Sequence, residues 1–266
     1  MIKINNYEVE FDKFPNGETH IKRLPHCSGD AVITFRFEGD EDLIKLMFVK
    51  RHIDSQNYVN FTRLIITYLP YSRMDRSENG SVFTLKYIAE FINMLNFNEV
   101  MVYEPHSDVS MALLNNASAI NYSSFMLTET MAKERFNAND IVYFPDATAQ
   151  KRYEKFLSKG IKTVTGFKKR DFKTGRIESL DVVGEVPSGC RVFMVDDLCS
   201  RGGTFVFGAN ELIKRGAKEF YLIVTHCEDS IYSGDIFKTD AIKKIYTTNS
   251  VLTNFSEGKL DIQIIF

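Results

Sequence analysis

The sequence predicts an α/β protein of two tandem units, each a mostly parallel sheet with helices on both faces. Three observations predict it. Segments rich in β-branched and aromatic residues alternate with segments whose apolar residues recur at helical spacing. The intervals between strands are long enough for the helical crossovers that parallel strands need. The alternation then restarts after a polar stretch, Arg135-Phe136-Asn137-Ala138-Asn139, which places the expected boundary between residues 1–137 and 138–266.

In order, residues 30–37 read as a strand, and Glu38-Gly39-Asp40 opens a helix that runs through Arg51. Residues 61–69 form a second strand, stopped by Pro70. Leu85, Ile88, Phe91, Ile92 and Leu95 mark one face of a helix over 82–95. A strand over 100–103 and a helix over 109–114 complete the first unit. The second unit repeats the theme with strands over 140–144, 162–167, 191–195 and 219–225 and helices over 150–158 and 204–215. Gly216 stands where a helix C-cap glycine belongs.

Composition narrows the function classes. The 266 residues carry 33 Lys+Arg against 35 Asp+Glu, so a protein acting through overall basic charge is excluded and no nucleic-acid partner is expected. The apolar stretches fall short of the ~20 residues of a membrane helix, so no membrane partner is expected. The N-terminus, Met1-Ile2-Lys3-Ile4, begins like a strand without signal-peptide order. Cys27, Cys190, Cys199 and Cys227 are scattered, with no Cys-x-x-Cys spacing. A cytoplasmic protein with incidental thiols is expected.

The informative residues stand at strand ends, where open α/β sheets bind ligands. At Val195-Asp196-Asp197-Leu198-Cys199-Ser200-Arg201-Gly202-Gly203-Thr204, a buried strand delivers two carboxylates, then a Gly-Gly loop and a helix start. Loop amides and a helix N-terminus can surround a phosphate, and carboxylates just upstream can take the hydroxyls of an attached sugar. An acidic turn before a helix cap is the plainer alternative for Asp196-Asp197 alone.

This string resembles the phosphoribosyl-diphosphate loop of the type I phosphoribosyltransferase fold. More narrowly, it resembles the Asp-Asp-x-x-Asp-Thr-Gly-Gly-Thr of ribose-phosphate pyrophosphokinases. Other segments are similar to that family's motifs, in the same order. They are Phe14-Pro15-Asn16-Gly17-Glu18-Thr19, Tyr68-Leu69-Pro70-Tyr71-Ser72-Arg73-Met74-Asp75-Arg76, Glu104-Pro105-His106-Ser107 and Phe144-Pro145-Asp146-Ala147. They continue with Phe167-Lys168-Lys169-Arg170, Val224-Thr225-His226 and Thr248-Asn249-Ser250. The resemblance covers nearly the whole chain and implies two phosphoribosyltransferase-like domains.

It also implies a reaction. The family transfers the diphosphoryl group of ATP to the anomeric hydroxyl of ribose 5-phosphate, with Mg²⁺, and releases AMP. Lys168 and Arg170 would meet the diphosphoryl oxygens from a mobile loop, although a Lys-Lys-Arg run by itself is a solvated basic stretch. Phe14, Asn16 and Glu18 would hold adenine, with Arg73 and Asp75 on the nucleotide; Asn-Gly is equally a hairpin turn. His106 and Asp146 would contact Mg²⁺–ATP and the metal. A lone histidine is more often structural, and Asp146 could instead cap the helix that follows it. Asp196 and Asp197 would take ribose hydroxyls; Ser200, Arg201, Gly202, Gly203 and Thr204 would take the 5-phosphate. In the family the Phe14 loop reaches the site from a neighbouring subunit, so self-association as a dimer or larger homo-oligomer is implied.

Departures from the family pattern are specific. Its Asp-Thr in the phosphate loop is Ser200-Arg201 here, which removes an acid and adds a fork of donors suited to phosphate oxygens. That leaves room for a 5-substituted ribose such as ADP-ribose as acceptor. Met74 replaces a glutamine, Ser77-Glu78-Asn79-Gly80-Ser81 replaces a basic segment, and the family's last helix is not expected after Asn249. Two alternatives stand beside the diphosphokinase. One is a phosphoribosyltransferase that consumes the diphosphate ester; the other is a non-catalytic regulatory homologue.

Overall fold

The computed structural model describes residues 1–170, 177–256 and 258–266, with side chains at all of these but 168–170 and 177–180. The chain divides into two compact units, Met1–Asn121 with Phe266, and Tyr122–Ile265.

The first unit contains β1 (Ile2–Ile4), β2 (Tyr7–Glu8), β3 (Phe11–Lys13), β4 (Thr19–Ile21), β5 (Gly29–Phe35), α1 (Glu41–Asp54), β6 (Val59–Ile66), α2 (Thr84–Met94), β7 (Glu99–Tyr103), α3 (Asp108–Leu113) and β8 (Ala117–Ile120). Its sheet has the order β2-β1-β5-β6-β7-β8, and β5 to β8 are mutually parallel. Burial alternates along β6, with Thr62, Leu64 and Ile66 buried and their neighbours half-buried or exposed, as period-two geometry requires of a sheet with one packed face. Ile33, Phe35, Leu64, Ile66, Val100 and Val102 meet Leu46, Val49, Leu85, Ala89 and Ile92 of α1 and α2 in the core. β3 and β4 form a separate hairpin.

The second unit contains α4 (Tyr122–Lys133), β9 (Ile141–Phe144), α5 (Ala147–Tyr153), β10 (Thr163–Arg170), β11 (Ile177–Val183), β12 (Arg191–Cys199), α6 (Gly203–Lys214), β13 (Glu219–Cys227), β14 (Ile242–Thr248) and β15 (Leu260–Gln263). The sheet order is β11-β10-β9-β12-β13-β14-β15, parallel throughout except for the antiparallel β10–β11 pair. Here both faces are packed. Tyr143, Val192, Met194 and Leu222 meet Phe205, Ala209 and Leu212 of α6 on one side. Val142, Phe144, Phe193, Val195 and Ile223 meet Met126 and Leu127 of α4 and Tyr153 of α5 on the other. A strand buried on both faces reads as a continuous apolar run, which is why Val192-Phe193-Met194-Val195 was legible.

The α/β class with two mostly parallel sheets stands as expected; the position of the division differs. It falls after Asn121 instead of after residue 137. The polar stretch 135–139 is a turn inside the second unit. Arg191 at the start of β12 donates to the Glu134 carbonyl at 2.7 Å and the Arg135 carbonyl at 2.8 Å, and pairs with the buried Asp140. Phe136 packs edge-on against Phe193, with ring centroids 5.1 Å apart. A second difference concerns residues 168–170, expected on a loop. They continue β10, in register with Leu180, Ser179 and Ile177 of β11. The helix expected over 150–158 starts earlier, at Ala147, because Asp146 caps it.

Candidate active site

The strand end singled out in the sequence is a close-packed turn. β12 carries the chain through Asp196 and Asp197 to Cys199, Ser200-Arg201-Gly202 turns it, and α6 begins at Gly203. Gly202 has a left-handed backbone (φ 76°), and a Cβ there would lie 2.8 Å from Ile236 Cδ1. Gly234 presses on the same turn from the following segment. A Cβ at Gly234 would fall 1.9 Å from the Arg201 carbonyl oxygen. Gly203, by contrast, has no atom within 4 Å of its would-be Cβ. The turn is thus pinned from one side by Gly234 and Ile236 and open at Gly203, where first-turn N–H groups of a helix have no intrahelical partners. Such an opening suits an anion.

The acid pair is asymmetric. Asp197 is buried, with Arg152 Nη1 of α5 3.7 Å from its Oδ2. Burial pushes the Asp196 carboxyl well above the usual carboxylate range, and the charges of Asp197 and Asp146 push it further. Asp146 caps α5, accepting from Thr148 N–H at 3.1 Å and Ala149 N–H at 3.0 Å through Oδ1. Asp146 therefore has a structural role, and its charge also bears on Asp196. Three carboxylates from the ends of adjacent strands β9 and β12 share one electrostatic environment.

Tyr143 lies beneath them. Its hydroxyl is buried and finds no hydrogen-bond partner among the described residues. Burial, then Asp146 and Asp196, push its ionisation upward. Tyr143→Phe should therefore raise Tm by about 2–4 °C, since it removes an unsatisfied buried donor. A comparable fall in a thermal melt would mean that the hydroxyl is bonded, through water, to one of those carboxylates.

The strand end is braced by Ser123, which carries no recognisable pattern, and by residues of the motifs 224–226 and 248–250. Ser123 Oγ of α4 donates to the Asp196 carbonyl at 3.0 Å and accepts the Thr225 N–H at 3.2 Å. Thr248 Oγ1 donates to the Thr225 carbonyl at 2.7 Å, and His226 Nδ1 is 2.8 Å from Ser250 Oγ. The motifs 224–226 and 248–250 are thus buried scaffold under the carboxyl ends of β13 and β14. Sequence reasoning missed α4 because its buried face is largely polar: Ser123, Ser124 and Thr130 beside Met126 and Leu127.

In the first unit, Phe14, Asn16 and Glu18 lie exposed on the turn of the β3–β4 hairpin. Gly17 has φ 90°, Phe14 N–H bonds the Glu18 carbonyl at 2.9 Å, and Asn16 Oδ1 accepts the Glu18 N–H at 3.2 Å. The hairpin alternative is what forms, and it presents Phe14, stacked on His20 at 4.9 Å, to solvent. Arg73 is exposed and Asp75 half-buried, in the segment after β6. His106 is half-buried just beyond β7. Both segments begin on a non-glycine residue in the left-handed region, Tyr71 (φ 60°) and Glu104 (φ 39°). Ser77 Oγ closes a polar turn onto the Ser81 carbonyl, and Arg76 pairs with Glu78 at 2.7 Å.

Lys168 and Arg170 have described backbones at the end of β10; their side chains lie outside the described residues. Among the described residues no three His, Cys, Asp or Glu side chains converge as ligands for a metal, and no helix is long and apolar enough to cross a membrane.

No protein-family model matches the chain. It is 26% identical over 260 residues to a ribose-phosphate pyrophosphokinase of Pyrococcus abyssi, covering 95% of this chain and 87% of that protein. It is 25% identical over 256 residues to the ribose-phosphate pyrophosphokinase of Thermococcus kodakarensis, covering 94% and 88%. The chain is thus similar to ribose-phosphate pyrophosphokinases over nearly its whole length. Its fold agrees: the crystal structure of a phosphoribosylpyrophosphate synthetase from Mycobacterium smegmatis matches with a TM-score of 0.76 at 17% identity, over 97% of this chain and 86% of that one. The two sheets are accordingly phosphoribosyltransferase-like domains.

Proposed function

We propose that the protein is a cytoplasmic, Mg²⁺-dependent transferase that moves the diphosphoryl group of ATP to the anomeric hydroxyl of a 5-phosphorylated ribose and releases AMP. The observation that carries this reading is the end of β12, where the half-buried Asp196 and the buried Asp197 stand beside a glycine turn and the open N-terminus of α6. On this reading the N–H groups of Gly203 and Thr204 take the 5-phosphate with Arg201, while Asp196 and Asp197 accept from ribose hydroxyls. Phe14, Asn16 and Glu18 hold adenine from an exposed hairpin, supplied by a neighbouring subunit of a dimer or larger homo-oligomer. Arg73, Asp75 and His106 serve the nucleotide, and Lys168 and Arg170 meet the diphosphoryl oxygens. The product would feed nucleotide or NAD metabolism.

The donor chemistry fits magnesium. Asp196 sits above the normal carboxylate range first because it is desolvated and then because Asp197 and Asp146 crowd it with like charge, and a hard cation would relieve that crowding. Mg²⁺ takes few protein oxygens and completes its shell from water and phosphate, so a convergent three-ligand cluster is not required. Asp146 and His106 are the residues assigned to it. When bound, the ion neutralises charge on the transferring group. Asp146 keeps the start of α5 fixed, and Arg152 holds Asp197 oriented.

Arg201 favours ADP-ribose as the acceptor over ribose 5-phosphate. The residue is exposed while its carbonyl faces Gly234 at close approach, so the side chain stands at the rim of the turn. A second phosphate beside the first would meet its guanidinium fork. The expected result is a higher kcat/KM with ADP-ribose than with ribose 5-phosphate, and a reversal in Arg201→Thr. Equal use of both acceptors, unmoved by the substitution, would leave ribose 5-phosphate as the substrate.

A further inference from the structure

The polarity of the Ser200 hydroxyl is set from outside the phosphate turn. Glu228 follows β13, and Ser230 lies in the single turn of 3-10 helix Asp229–Ser233. Ser230 Oγ donates to Glu228 Oε2 at 3.0 Å, and Ser230 Oγ and Ser200 Oγ are 2.9 Å apart. A serine hydroxyl has one proton, and a carboxylate only accepts. With the Ser230 proton on Glu228, the Ser200 proton must lie on Ser230. Ser200 then offers a ligand lone pairs alone.

We propose that Glu228, acting through Ser230, is a positioning residue that holds Ser200 as a hydrogen-bond acceptor, so that this point of the turn selects a ligand hydroxyl and disfavours a phosphate oxygen. The inference rests on the reading of the turn as a phosphate site. It changes the role of Ser200 within it: the anion is held by the N–H groups at Gly203 and Thr204, and Ser200 receives a donor such as a ribose hydroxyl. The acidic character lost from the turn at position 200 is supplied through a two-hydroxyl relay from the next strand end.

The test uses sulfate, an anion with no proton to donate, and ribose 5-phosphate, which carries hydroxyl donors. Both are titrated calorimetrically into the unmodified protein, Glu228→Gln and Ser230→Ala. A glutamine amide can donate to Ser230 and so turn the relay around; alanine at 230 leaves Ser200 free to rotate its proton into the site. Both variants should bind sulfate about tenfold more tightly, the size of a hydrogen bond to a charged partner. Their sulfate affinity should also rise relative to that for ribose 5-phosphate. Tightening in Glu228→Gln but not in Ser230→Ala would be a pure charge effect and would overturn the relay, as would equal sulfate affinity in all three proteins. Ser200→Ala gives an independent check, because a loss of sulfate affinity there would require the Ser200 proton to sit on the anion, contrary to the inference. Failure of every protein to bind either ligand would instead remove the phosphate reading of the turn, and the inference with it.

Discussion

Lys168→Ala is expected to lower kcat about 10²–10³-fold, with kcat/KM falling in step and the melting temperature unchanged. Charge develops on the diphosphoryl oxygens as the β-phosphorus changes partners, and such reactions depend mainly on positioning and electrostatic stabilisation. One preorganised donor at a developing charge contributes about 2.7–4 kcal/mol. The backbone at 168 pairs with that of Leu180, and alanine keeps this pairing, so the strand survives the substitution. Lys168→Arg retains the charge and should recover part of the rate. Steady-state kinetics of both variants check the assignment; near-normal turnover in the alanine variant would remove Lys168 from the chemistry.

Gly234→Ala should damage the Ser200-Arg201-Gly202 turn, proposed to hold the acceptor's phosphate, more than its position over thirty residues downstream suggests. The added Cβ would stand 1.9 Å from the Arg201 carbonyl oxygen and 2.8 Å from its carbonyl carbon. Those are backbone atoms, so no side chain can swing aside, and Ser200-Arg201-Gly202 must move. Overpacking of this kind costs about 1–3 kcal/mol of stability. A displacement on the order of 1 Å in a binding group can lower kcat/KM for the acceptor about 10²-fold. Gly203→Ala separates the two effects. Its Cβ meets nothing within 4 Å, so stability should hold while the methyl group intrudes on the open face where the anion is expected. Thermal melts and acceptor kinetics of the pair are the check. Normal acceptor use by Gly234→Ala would mean that the turn does not bind the acceptor.

What was legible in the sequence follows from periodicity and local turn chemistry. The doubly buried strands β9, β12 and β13 announce themselves as apolar runs, and Asp196-Asp197 with Gly202-Gly203 is a local arrangement of strand end, acid and glycine. Interactions set by approach across the chain left no local trace. Gly234 matters because Arg201 is near it, and Glu228 because Ser230 leads to Ser200. The helix α4 hid behind buried serines that bond strand ends, so the polar turn at 135–139 passed for a boundary. Residues 168–170 read as a basic loop because lysines and arginine obscure the alternation of a strand, yet β11 pairs with them. Asp146 shows how one residue answers two readings: its cap geometry is visible, and its charge still presses on Asp196.

The most direct test of the central claim is the nucleotide product. Purified protein with Mg²⁺, ATP and either ribose 5-phosphate or ADP-ribose should form AMP in step with an acceptor that has gained a diphosphoryl group on its anomeric carbon. Both products are visible by ³¹P NMR and by chromatography of the same reaction. Formation of ADP with a singly phosphorylated acceptor, or no reaction with either acceptor, would contradict diphosphoryl transfer as the function of this protein.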